Sequence, residues 1–188
     1  MTISSTSMKN RTLIREIADT DFDPKHQMGN LDKYDIRRSS RGILVNNGQI
    51  ALLNVTKFNY HKLPGGGLEP NESIDEAFTR EALEETGCQS EILDQSGVII
   101  EWRDQFKLLK ISYVLLAKVK GKIGQNKFEQ GEVDEGFKLE WLPFEKIDEV
   151  LKNDNPTNYE GKFIKIRDKS IIKFYRDKLN KLLKIKKS

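Results

Sequence analysis

Hydrophobic positions recur at helical spacing in two long stretches of the chain and alternate with polar ones in several shorter ones. Between Ser73 and Gly87, the residues Ile74, Ala77, Phe78 and Ala82 fall on one arc when placed about 100° apart, which predicts a helix. Its start is written as Ser73 followed three residues on by Glu76, a capping box, and Gly87 supplies a left-handed C-cap. From Gly161 onward, Ile164, Ile171, Ile172, Tyr175, Leu179, Leu182 and Leu183 predict a long amphipathic helix with a basic outer face and tail, Lys178 to Lys187. A shorter helix is expected from Pro143 through Lys152, and Asn153 to Asn158 reads as a turn cluster.

The alternating stretches predict strands. Arg41 to Val45 and Gln49 to Val55 flank Asn47 and Gly48, a pair that favours a tight hairpin turn. Short strands are expected at Thr12 to Ile17, Tyr60 to Leu63, Glu91 to Asp94, Gly97 to Trp102 and Gly136 to Trp141. In the long strand from Phe106 to Val119, Leu108, Lys110, Ser112 and Val114 alternate with Leu109, Ile111, Tyr113 and Leu115. Lys120 to Asp134 is polar, carries three glycines and is expected as a loop. Residues 1–36 read as an arm whose first ten residues are disordered, and residues 37–188 as a single domain. The arm can cover a sheet edge, or contact substrate or a second copy of the chain in a homodimer.

The acids of the first helix break its pattern. Glu81, Glu84 and Glu85 fall at about 340°, 280° and 20° on the wheel, continuing the inward stripe where aliphatic residues belong. Carboxylates on one arc repel and lose hydration, so a cation must offset them. Oxygen-only ligands suit Mg2+ or Mn2+. The plainer alternative is a solvated acidic helix end paired with Arg80. His26 and His61 are far apart in the chain and build no metal cluster.

Composition narrows the class. The chain has 188 residues, 37% of them hydrophobic, enough for one buried core. A net charge of +3 on 32% charged residues does not announce a nucleic-acid binder. The N-terminus lacks the apolar core of a secretion signal, no apolar run is long enough to span a bilayer, and Cys88 is the single cysteine. A cytoplasmic protein without membrane attachment is expected. Gly65 to Gly67 lack the Lys-Ser/Thr that would follow in a P-loop.

The spacing Gly66, Glu72, Arg80-Glu81-Ala82, Glu84-Glu85, Gly87-Cys88 resembles the signature box of the Nudix hydrolases. Every charged and glycine position matches, and Asn71 stands where many members carry glycine. The resemblance implies an α/β/α sandwich around a mixed sheet, here with an N-terminal arm and a C-terminal amphipathic helix. It also implies cleavage of a nucleoside diphosphate linked to another moiety, by water attack on phosphorus with Mg2+ or Mn2+. By this resemblance Glu81, Glu84 and Glu85 hold the metal with the backbone carbonyl of Gly65 or Gly66. A further carboxylate from a loop outside the box is Glu135, with Glu132 in reserve, and any of these acids can be the base. Glu72 and Arg80 hold the glycine loop, Gly65 to Gly67, against the helix. Trp102 and Arg103 can stack on a base or clamp a phosphate, or simply pack the sheet. The competing class is a nucleotide-binding or regulatory module that keeps the fold without catalysis.

Overall fold

The computed structural model describes residues 10–184; the disorder expected of the first ten residues and the last basic positions, Lys186 and Lys187, fall almost wholly outside that range. The elements in chain order are β1 (Thr12–Ala18), β2 (Asp35–Asn46), β3 (Gln49–Val55), β4 (Tyr60–Lys62), β5 (Gly65–Gly67), α1 (Ile74–Thr86), β6 (Gln89–Arg103), β7 (Leu108–Lys120), α2 (Gln130–Asp134), β8 (Phe137–Pro143), α3 (Ile147–Asn153) and α4 (Tyr159–Lys184). One mixed sheet runs β1-β6-β7-β2-β3-β4, with β5 added to β2 and β8 to β3. The β1/β6 and β2/β7 pairs are parallel and the rest antiparallel.

Strand alternation sorts the apolar side chains to two faces, since successive residues point to opposite sides. Ile43, Val45, Ile50, Leu52, Val114 and Leu116 meet Phe163, Ile171, Ile172, Tyr175 and Leu179 of α4 together with Ile147 and Leu151 of α3. Their neighbours Leu44, Ala51, Leu115 and Ala117 meet Phe78, Ala82 and Cys88 on the side of α1. The molecule is therefore an α/β/α sandwich around a mixed sheet. Among the described residues no helix is long and apolar enough to cross a membrane.

Several expected boundaries move. The β2–β3 turn has Asn47 at φ 47° and Gly48 at φ 86°, the primed geometry that Asn-Gly predicts. The two strands expected at 91–94 and 97–102 are one strand, β6, whose register shifts around Asp94. Asp94 is pinned there by Ser96 and by the Tyr175 hydroxyl of α4, 2.8 Å away, so the irregularity is absorbed without ending the strand. The arm contributes β1 as the sheet's edge, and β2 begins at Asp35 rather than Arg41. The loop expected over 120–134 contains the short helix α2.

Candidate active site

The acidic positions of α1 come together with the glycine loop because both ends of the helix are fixed. Ser73 accepts from the Glu76 N–H while Glu76 accepts from the Ser73 N–H at 2.9 Å, and Gly87 closes the other end at φ 69°. Beyond it, Gly124 N–H donates to Gly87 O at 2.8 Å and Lys127 N–H to Glu84 O at 2.6 Å. The expected loop thus folds back along the helix end and carries α2 to the same place.

Two glycines let backbone and carboxylate approach. At Gly65, φ is 130°, and an added Cβ would lie 2.3 Å from Ser40 O and 2.4 Å from Arg41 Cα. At Gly66 it would lie 2.3 Å from Glu81 Oε1. Either substitution would force a polar or backbone group aside. Asn71, the departure from the box pattern, sits at φ 67°, a left-handed conformation that asparagine tolerates.

The result is a cavity of about 210 Å³ lined by Lys62, Gly65, Gly66, Gly67, Glu81, Glu84, Glu85, Glu129 and Glu132. Glu85 is 1% exposed and accepts from the Gly65 N–H at 2.7 Å and from Lys62 Nζ at 2.8 Å. Burial pushes the Glu85 carboxyl above the usual range; Lys62 and the Gly65 amide oppose this, and Glu132 adds to it. Glu81 is also raised, by burial and then by the charge of Glu85, against the pull of Arg80 and Lys62. Arg80 is the clasp. Its Nε donates to Glu72 at 2.9 Å, Nη1 to Glu81 at 2.9 Å and Glu84 at 3.1 Å, and Nη2 to Gly67 O at 3.1 Å. The ion pair expected between Glu72 and Arg80 is therefore present, and it ties the loop to α1.

The other expected site residues lie elsewhere. Glu135 ends α2, its carbonyl accepts from Lys57 N–H, and it does not line the cavity. Glu132 does, although its Oε2 also caps the Glu129 amide at 2.9 Å. Trp102 packs edge-on against Tyr34 and donates its indole N–H to Glu16. Arg103 is 1% exposed and bonds Glu101 at 2.9 Å and Glu160 at 2.8 Å. Neither of these two lines the acidic cavity. Lys62 and Glu129 carried no expectation. The Glu129–Glu132 spacing is that of a capping box and could have signalled α2.

A NUDIX domain model matches residues 36–162. The chain belongs to the Nudix family. As a Nudix protein it is a hydrolase acting on phosphorus-containing anhydrides. Solved Nudix structures share its fold: a hydrolase of the family from Nitrosomonas europaea aligns at TM-score 0.53 and 18% identity, covering 71% of this chain and 88% of that one. A Nudix-family hydrolase from Clostridium perfringens aligns at TM-score 0.51 and 17% identity, over 73% and 96% of the two chains. The E. coli ORF135 protein aligns at TM-score 0.52 and 18% identity, over 79% and 96%. No curated protein matches the sequence.

Proposed function

We propose that this Nudix protein is a divalent-metal-dependent pyrophosphohydrolase that cleaves a nucleoside diphosphate linked to another moiety. The observation that carries the reading is the cavity lining: five carboxylates against one lysine, with the Gly65 and Gly66 backbone beside them. Oxygen donors alone, held where burial already disfavours negative charge, fit a hard dication and not zinc or copper. Glu81, Glu84, Glu85 and the Gly65 carbonyl would hold Mg2+ or Mn2+. When bound, such an ion neutralises phosphate oxygens and lowers the pKa of attacking water.

The chain's own groups do the remaining work. Arg80 orients Glu81 and Glu84 through its Nη1, and the Gly65 amide fixes Glu85. Lys62 is the basic residue lining the cavity; it donates to Glu85 and stands where it can meet a phosphate oxygen. Glu132, which lines the cavity, takes the further carboxylate role first expected of Glu135 and can accept the water's proton.

The second reading, a nucleotide-binding module without catalysis, draws on one observation: among the described residues no three acids, histidines or cysteines are already grouped to hold a metal. A panel of nucleoside triphosphates, nucleotide sugars and ADP-ribose, assayed with Mg2+ and Mn2+, separates the two. Catalysis predicts product release that a chelator abolishes, and Glu84→Gln lowering turnover at least about a hundredfold with the fold intact. Near-normal turnover in that variant, or no product across the panel, would reject the reading.

A further inference from the structure

The face of the sheet under α4 is apolar at Ile43 and Val45 but turns polar toward the start of β2. The strand register lines up Arg41 beside Val114, then Ser39 beside Ser112 and Ile99, then Arg37 beside Lys110 and Glu101. The two serines are buried, with their hydroxyls 2.9 Å apart. Four basic side chains gather around them: Arg41, Arg103 and Arg167, all at most 3% exposed, and the partly exposed Lys110, whose pKa is held well below its ordinary value by burial and then by the charge of Arg41.

The buried acids nearby face Arg103 and Arg167. Glu101 accepts from Arg103 through Oε1, while its Oε2 has no hydrogen-bond partner and lies 3.9 Å from Arg167 Nη1. Asp168 accepts from Arg167 Nε at 2.6 Å and from the Leu63 amide at 2.8 Å. Among the described residues, no side chain forms an ion pair with Arg41 or Lys110, and Arg41 Nε, Arg103 Nε and Arg167 Nη1 are buried without a hydrogen-bond partner. Burial, followed by the charge of Arg167, lowers the Arg41 pKa only to about 10, so the guanidinium stays charged at neutral pH. Keeping such a cation buried and unpaired is costly. A tetrahedral oxyanion would remove that cost, because it matches a guanidinium fork, an ammonium and two hydroxyls together.

The cluster also adjoins the acidic cavity. Arg41 pairs in register with Gly65, the residue whose amide holds Glu85. We propose that this polar floor, Arg41, Lys110, Ser39 and Ser112, is a subsite for a phosphate group carried by the substrate in addition to the diphosphate that is cleaved. The substrate part rests on the hydrolase reading above; the anion part does not.

The test is calorimetric titration of inorganic phosphate into the full chain with chelator present, so that no metal contributes. Saturable binding is expected, weakened at least about tenfold in Lys110→Met, whose site is partly exposed, and in Arg41→Met, each checked for folding by circular dichroism. No binding by the parent chain, or equal binding by both folded variants, would overturn the subsite. In turnover assays inorganic phosphate should raise KM and leave kcat alone, with Lys110→Met relieving that competition. A fall in kcat at constant KM would assign the site to free phosphate and overturn the substrate part. Phosphate binding without any metal-dependent turnover would overturn the hydrolase reading instead.

Discussion

Glu85 and Glu101 are both buried carboxylates, 1% and 0% exposed, yet their surroundings drive them in opposite directions. Glu85, on α1, faces Lys62 and the Gly65 amide but shares its cavity with four other glutamates, and its pKa is raised. Glu101, on β6, suffers the same burial, but Arg103, Arg167, Lys110 and Arg41 outweigh it and hold its pKa at about 2. Burial sets the cost of a charge; the sign of the neighbours decides whether the cost is met within the chain. The Glu101 side has more cation than it needs, and the Glu85 side has too little. A hydrolase of phosphorus-containing anhydrides can use both imbalances.

The largest expected effect separates the two directly. Glu101→Gln leaves Arg103 with Glu160 alone and Arg167 with Asp168 alone, and should destabilise the fold by about 3 kcal/mol in urea unfolding. The sign with pH is fixed by the lowered pKa: this contribution is present above the ordinary value of 4.5 and lost as pH falls through about 2, a total of roughly 3 kcal/mol. A difference between parent and variant that does not shrink below pH 4.5 would break the comparison. Glu85→Gln should do the reverse, leaving stability within about 1 kcal/mol while turnover falls at least about a hundredfold. Loss of the fold in this variant would mean that Glu85 is structural.

A smaller effect sharpens the role of close approach. Gly66→Ala places a methyl where Glu81 Oε1 now lies, and displacement of that carboxylate should cost about tenfold or more in kcat, with little change in melting temperature. Unchanged kcat would show that Glu81 can shift freely. The smallest concerns His61, on β4 beside Lys62, whose Nδ1 lies 2.7 Å from Asp154 and Nε2 3.6 Å from Glu140. Burial would lower its pKa, but Asp154 and then Glu140 outweigh it and raise it. Its stabilisation is therefore full below 6.5 and is lost as pH rises through the folded value. His61→Gln should remove about 1 kcal/mol below that window and nothing well above it, as read by urea unfolding at several pH values.

What was legible in the sequence followed local rules. Ser73, Glu76 and Gly87 bounded α1, Asn47 and Gly48 formed the hairpin turn, and the α4 stripe lay at helical spacing, because capping, turn chemistry and periodicity act within a few residues. What was hidden depended on distant partners. The continuity of β6 through Asp94 needs Tyr175, and the β1 edge needs β6 beside it. At the site, the α1 acids could be read from their wheel positions, whereas Lys62, Glu129 and Glu132 enter the cavity only through strand pairing and the return of the 120–134 segment. Arg103 is open in the sequence to clamping a phosphate or to packing the sheet; Glu101, two residues back on the same strand face, is a local partner, but Glu160 on α4 is a distant one.

Titration of Mn2+ into the parent chain and Glu85→Gln, followed by calorimetry, tests the central claim most directly. The parent should bind saturably, and the variant at least about tenfold more weakly while remaining folded. Equal Mn2+ affinity in the two proteins would contradict the assignment of the acidic cavity to the metal.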